Sequence, residues 1–193
     1  TAVFSSLVTI YFTVGMNKKF VVALLGVTSG VLIAGILSYI FTYTMRLNGF
    51  LDSDLLSCAY LLKKIKIKEL IPAGVIIGSL GAVMDVAVSI TSSINELHEA
   101  NPNISKKSMF KSAINIGNDI IGTMINTLIL AYIASSIFTL LLIYIQANEY
   151  PLIRILNFQD IAVEIMRSIC GSIGILISVP LTAYIGTLIY KKK

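Results

Sequence analysis

The stretch Gly74–Glu96, GVIIGSLGAVMDVAVSITSSINE, is mostly apolar and long enough to cross a bilayer, yet it carries a carboxylate, Asp85, in its middle. Small and polar residues recur around Asp85 in steps of three or four, which places them on one face of a helix. A spanning helix with such a face predicts a polar contact or a wet surface inside the membrane. The face comprises Gly74, Gly78, Gly81, Asp85, Ser89, Ser92 and Glu96.

The composition of the whole chain is that of an integral membrane protein. Of its 193 residues, 56% are hydrophobic and only 13% are charged, whereas soluble domains are about one quarter charged. The mean hydropathy is +0.87. Several apolar runs reach the roughly 20 residues that span a hydrocarbon core, and they are continuous rather than alternating, which disfavours a β-barrel. We therefore expect an all-α, polytopic membrane helix bundle.

These apolar runs predict about five transmembrane helices in a single domain covering residues 1–193. Over residues 52–66, leucines recur at helix-like intervals beside aspartates and lysines, which predicts an amphipathic helix in the headgroup layer. A second interfacial piece is expected near Pro151. The chain begins within an apolar run, so we expect it to be the C-terminal part of a longer chain. The predicted spans are residues 1–16, 20–45, 70–97, 116–146 and 161–190.

Two further spans carry polar faces like that of Asp85. We expect the three faces to line one polar pathway between the third, fourth and fifth spans, with Asp85 and Asp119 as the coupling carboxylates. The face of the fourth span comprises Asn115, Asp119, Thr123 and Asn126, and that of the fifth comprises Glu164, Arg167 and Ser178.

Small residues predict where helices approach one another closely. In the second span Gly26, Gly30 and Ala34 recur at intervals of four, the small-xxx-small pattern of close helix pairs. The same role is expected for glycines on the three polar faces, namely Gly78, Gly81, Gly122, Gly171 and Gly174.

The charges and cysteines indicate a membrane location rather than a nucleic-acid partner. The net charge is +5, but the lysines lie in short groups at the ends of apolar runs, where they anchor and orient spans against anionic lipid. Their distribution favours, by a small margin, a multi-pass protein with a cytoplasmic C-terminus. Cys58 and Cys170 are far apart and fit no metal or redox spacing.

No enzyme signature is present, and we expect neither catalysis nor a bound metal or cofactor. The spans contain no metal-ligand spacing, no nucleophile beside a histidine and no phosphate-binding loop. Two carboxylates on different helices, Asp85 and Asp119, leave an intramembrane aspartyl protease as an alternative. The chain lacks the YD and GxGD sequences of those proteases, so binding and translocation are favoured.

With its segments laid out, the chain resembles the YibE/F-like family of bacterial multi-span membrane proteins. The resemblance is carried by GSLGAVMDVAVSITSSINEL from Gly78, NIGNDIIGTMINTLILAY from Asn115, EIMRSICGSIGILISVPLTA from Glu164 and the turn at residues 17–19. It implies a permease-like protein of the bacterial cell membrane that pairs with a second, paralogous subunit. The family pattern places an arginine before the aspartate of the fourth span, where this chain has Asn118.

Two functional hypotheses remain open. The first is a transporter subunit whose intramembrane carboxylates couple to protons or cations. The second is a non-transporting scaffold or accessory subunit of a hetero-oligomer, since Asp, Asn and Ser also join helices by hydrogen bonds. In either case the partners are membrane lipid and another membrane chain, either a second copy or a paralogue.

Overall fold

The computed structural model describes residues 2–47, 67–146 and 150–190, and every regular element within these ranges is helical. The predicted amphipathic helix at residues 52–66 lies outside them. The elements are α1 (Ala2–Val14), α2 (Lys18–Thr44), a 3₁₀ turn (Ile67–Glu69), α3 (Leu70–Ala100), α4 (Lys106–Ser135), α5 (Ile137–Gln146), α6 (Leu152–Leu156) and α7 (Gln159–Tyr190).

Four of these helices, α2, α3, α4 and α7, are long and apolar enough to cross a membrane. The predicted helical membrane fold is thereby confirmed, whereas the expected count of about five spans is not. Helix α1 has 13 residues, fewer than the roughly 20 needed to span a bilayer. The predicted fourth span also differs, because its helix starts at Lys106 and ends at Ser135, and α5 follows as a separate helix.

The start of α4 is fixed by a side-chain cap. Ser105 has an extended backbone, and its hydroxyl oxygen accepts a hydrogen bond from the backbone N–H of Ser108 at 3.1 Å. That bond satisfies one of the N–H groups that a helix start leaves without a partner. Helix α4 therefore runs without a break from the amphipathic segment at Lys106 into the membrane-spanning region.

Helices α2, α3 and α7 form the centre of the bundle, and small residues set their spacing. A β-carbon added to Gly174 of α7 would lie 2.9 Å from Cβ of Ala34 and 3.2 Å from the carbonyl oxygen of Gly30, both in α2. One added to Gly30 would lie 2.8 Å from Cβ of Ser178. The small-xxx-small prediction for α2 is confirmed, and its partner is α7.

Two side-chain contacts show the relative directions of the central helices. The hydroxyl of Tyr190, at the end of α7, donates to the side-chain oxygen of Asn95 in α3 at 3.0 Å, so these two helices run parallel. Helix α2 runs antiparallel to α7, since the hydroxyl of Thr42 lies 3.8 Å from the sulfur of Met166.

Helix α4 lies at the edge of this arrangement. It packs on α3 and α7 through the face that contains Met109, Ala113, Gly117 and Leu128. Only 11% of the most apolar 18-residue stretch of α4 is buried, whereas 39–44% of the corresponding stretch is buried in the other three long helices. Most of the surface of α4 therefore has no neighbour among the described residues.

Candidate functional site on the outer face of α3 and α4

The polar stripe of α3 points away from the bundle. Asp85, Gly81 and Glu96 are exposed, and Ser89 and Ser92 are half-buried. The buried face of the same helix, which includes Val83, Val86, Ala87 and Ile90, lies on the opposite side of the helical wheel. A β-carbon on Gly81 would meet no atom within 4 Å.

The polar face of α4 is also exposed. Asn115 and Asp119 lie two residues before and after the buried Gly117, and a step of two residues is slightly more than half a helical turn. The other residues of the face lie one or two full turns beyond Asp119. The whole face is therefore nearly opposite the packing face. A β-carbon on Gly122 would likewise meet nothing within 4 Å. The exposed residues of this face are Asn115, Asp119, Gly122, Thr123 and Asn126.

The two stripes lie at matching depths. A β-carbon on Gly78 of α3 would lie 3.4 Å from the Tyr132 hydroxyl of α4, and one on Gly117 would lie 3.4 Å from Cδ1 of Ile90. These two contacts fix how the antiparallel helices α3 and α4 align. Asp85 therefore lies at about the same level as Gly122, and Asp119 lies at about the same level as Ser89. We call the exposed residues of these two separate stripes, taken together, the outer polar face: Gly81, Asp85, Asn115, Asp119, Gly122 and Asn126.

Asp85 and Asp119 both lie near the middles of their helices. Asp85 is the middle residue of the 31-residue helix α3, about 22 Å from either end at 1.5 Å per residue. Asp119 is close to the middle of the 30-residue helix α4. Within the described ranges, the structure pairs neither carboxylate with a hydrogen-bond donor or a cation. An aspartate facing lipid at the centre of a span costs roughly 2.5–3.5 kcal/mol even on insertion scales.

The candidates of the fifth span lie elsewhere. Nη1 of Arg167 is 3.0 Å from Oε1 of Glu164, an ion pair within α7 whose two side chains are about one quarter exposed. Ser178 is buried where α7 meets α2, and its hydroxyl donates to the carbonyl of Ile175 in its own helix at 2.8 Å. Ser178 therefore belongs to a packing contact.

The expectation of a single polar seam between the third, fourth and fifth spans is corrected by this placement. The middle of each stripe, with Asp85 in α3 and Asp119 in α4, faces outward. In α7, Ser178 is buried against α2, and Arg167 lies beside Gly74 at the start of the α3 stripe. Mainly aliphatic and small residues fill the contacts of α3 with α2 and α7, and the hydrogen bond of Asn95 with Tyr190 is a polar exception. Two of the expected packing glycines, Gly81 and Gly122, contact nothing within the described chain, whereas Gly171 and Gly174 do pack and Gly78 borders Tyr132.

Sequence reasoning missed two polar residues of the fourth apolar run, Tyr132 and Ser136. A β-carbon on Gly171 would lie 2.9 Å from the Tyr132 hydroxyl, so this glycine and Gly78 leave the space that the hydroxyl occupies. The hydroxyl groups of Tyr132 and Ser136 are both buried, and neither has a hydrogen-bond partner among the residues that the structure describes. A tyrosine and a serine within an apolar run carry no periodic signal, which is why the pattern did not mark them.

The geometry defines a class, a polytopic helical membrane protein with a carboxylate exposed at the middle of one long apolar helix. Within that class the chain belongs to the YibE/F-like family, whose model matches residues 1–192. This confirms the resemblance noted from the sequence. Comparison with curated proteins finds no match, and neither does comparison with solved structures.

Proposed function

We propose that this chain is a subunit of a membrane permease, in which the outer polar face forms one wall of a translocation pathway and a second chain forms the other. The observation that carries the proposal is the exposure of Asp85 at the middle of α3. A carboxylate at that depth is stable only if it is protonated, paired or in contact with water. A second protein chain over the outer polar face supplies either a partner or an enclosed, wet space.

Small residues on the outer polar face support close approach of that second chain. Gly81 and Gly122 have open space above them, and glycines at such positions let two helix backbones come near each other in a membrane. Asn115 and Asn126 add amide donors and acceptors to the carboxylate oxygens of Asp85 and Asp119. We infer that the partner is a second YibE/F-like chain, either a copy or a paralogue.

In this proposal Asp85 and Asp119 accept and release protons or bind a cation as the pathway opens to each side. Their oxygen ligands suit protons and hard cations. The pathway lies in the cell membrane, and the small excess of basic residues favours a cytoplasmic C-terminus. No catalytic role is proposed.

The experiment is proton flux into reconstituted vesicles under an imposed membrane potential, followed with an internal pH dye. Asp85→Asn keeps the size and hydrogen bonding of the side chain but cannot ionise, so we expect it to reduce flux to the level of protein-free vesicles. Asp85→Glu restores an ionisable group and is expected to retain part of the flux. Wild-type flux in Asp85→Asn would refute the coupling role.

The second candidate function, a scaffold or accessory subunit, is favoured by the same exposed glycines, since they suit an interface without transport. It predicts that wild-type vesicles conduct no more than protein-free vesicles. It also predicts that Asp85→Asn assembles with its partner as the wild type does.

A further inference from the structure

A groove of about 690 Å³ lies on the outer surface of the bundle, between α1, α2 and α3. We call it the α1–α3 groove. Its volume is within the roughly 300–1,000 Å³ of ordinary ligand pockets. Its walls include Leu32, Ile36 and Tyr39 of α2 and Ile77 of α3, and each of these side chains is more than half exposed. The groove is therefore open toward the surrounding lipid.

The lining of the groove suits a flexible, apolar occupant. None of the described residues that line it is charged. The hydroxyl of Thr28 donates to the carbonyl of Leu24 in its own helix at 2.8 Å, so it is not available to a polar ligand. The most exposed walls are large aliphatic side chains, such as Leu32 and Ile77, whereas close approach of a second helix favours small residues. A hydrocarbon chain fits this surface better than a helix of another protein.

The length of the groove matches one leaflet of a bilayer. Its α2 wall extends from Val27 to Tyr39, which is about 18 Å at 1.5 Å per residue. One leaflet contributes about half of the roughly 30 Å hydrocarbon core. Val27 lies near the middle of α2, and Tyr39 lies near its end. An acyl chain can therefore lie along the groove with its headgroup end beside Tyr39.

A cation lies at that end of the groove. The ring centroids of Tyr39 and Tyr43 are 4.5 Å apart, and Nζ of Lys68 is 4.1 Å from the centroid of the Tyr43 ring. Tyrosines are typical of the membrane–water interface, and lysine binds phosphate as a point charge. Arg46 and Glu69 are exposed nearby in the sequence, and the two basic residues exceed the one carboxylate.

We propose that the α1–α3 groove is a binding site for an anionic phospholipid. One acyl chain lies along the groove from Tyr39 toward Val27, and the phosphate of the headgroup lies next to Lys68. A zwitterionic headgroup carries its own cation beside the phosphate, so it gains less from the lysine than an anionic headgroup does. Neither Asp85 nor Asp119 lines the groove, so the site does not depend on the proposed translocation pathway.

The test uses tryptophan fluorescence, because the sequence contains no tryptophan and a single introduced one reports on its own surroundings. Leu32→Trp places the fluorophore at the groove, and Leu176→Trp on α7 is the matched control. The two positions lie at the same level, as the close approach of Gly30 to Ser178 indicates. Leu176 is 45% exposed and does not line the groove.

Each variant of the whole chain is reconstituted in phosphatidylcholine vesicles in which a fixed fraction of the lipid has brominated acyl chains, which quench tryptophan on contact. The brominated lipid is either phosphatidylglycerol or phosphatidylcholine. At position 32 we expect an apparent affinity about fivefold higher for phosphatidylglycerol, the factor equivalent to the roughly 1 kcal/mol that one basic residue contributes near a membrane surface. At position 176 we expect no preference.

A second substitution then tests the role of the headgroup site. Lys68→Gln in the Leu32→Trp chain is expected to abolish the preference, whereas Lys111→Gln, which removes an exposed lysine of α4, is expected to leave it unchanged. Equal preferences at positions 32 and 176, or a preference that survives Lys68→Gln, would overturn the proposal. Absence of quenching at position 32 by either lipid would also overturn it, since a protein segment would then occupy the groove. If Leu32→Trp fails to fold, Ile36→Trp on the same wall takes its place, with the same outcomes.

Discussion

A close contact between α2 and α7 provides a sharp test of the packing of the bundle. A methyl group added to Gly174 would lie 2.9 Å from Cβ of Ala34 and 3.2 Å from the backbone carbonyl of Gly30, whereas carbon atoms pack best at about 3.5–4.0 Å. Gly174→Ala therefore forces α2 and α7 apart. Overpacking of this kind costs about 1–3 kcal/mol. At 1.4 kcal/mol per factor of ten, the folding equilibrium shifts by roughly 5- to 150-fold.

Gly81→Ala is the matched control for this substitution. It adds the same methyl group to a helical glycine, but nothing lies within 4 Å of the new atom. Replacing a helical glycine by alanine relieves about 0.5–1 kcal/mol of backbone penalty at both sites. In the solubilised chain without a partner, the difference between the two variants therefore reports the contact of α2 with α7.

The assay uses the buried thiol of Cys170 as a reporter, since its side chain is 0% exposed. In a Cys58→Ser background, the solubilised chain is titrated with SDS, and labelling by a fluorogenic maleimide marks the loss of structure. Helical circular dichroism gives an independent midpoint. We expect Gly174→Ala to unfold at lower SDS than Gly81→Ala. Identical midpoints would refute the close packing of α2 against α7.

Two further predictions concern the ends of the helices. Tyr190→Phe removes the hydroxyl that donates to Asn95, so the same SDS titration is expected to show a loss of about 1–3 kcal/mol, and an unchanged midpoint would contradict this bond. Ser105→Ala removes the cap of α4 and is expected to cost about 0.5–2 kcal/mol, with faster amide hydrogen exchange confined to the first turn of α4; uniform exchange rates there would refute the cap.

The helices of this protein were largely predictable from the sequence because long apolar runs in a membrane protein have few alternatives to helix. The close pairing through Gly26, Gly30 and Ala34 was also predictable, because small residues at intervals of four let two membrane helices approach closely. The number of spans was not predictable. Neither the shortness of α1 nor the break at Ser136 leaves a strong mark in hydropathy.

The orientation of α3 within the bundle could not be read from its sequence. One face holds Val83 and Ile90, and the other holds Gly81 and Asp85. In a soluble protein the aliphatic face would be buried, but lipid is as apolar as a protein interior, so hydrophobicity does not decide which face turns inward. Polar residues usually face the bundle interior, and that rule predicted a seam inside one chain. The structure instead turns Asp85 outward, and the proposed second chain rests on this exposure.

The presence of that second chain over the outer polar face is the central claim, and site-specific photocrosslinking in native membranes tests it most directly. An aliphatic side chain carrying a diazirine replaces Gly81 in one variant and Leu32 in the other. Leu32 is 63% exposed on α2 and serves as the control. We predict a covalent adduct with another protein chain from position 81 and lipid adducts alone from position 32. Lipid adducts alone from both positions would contradict the account.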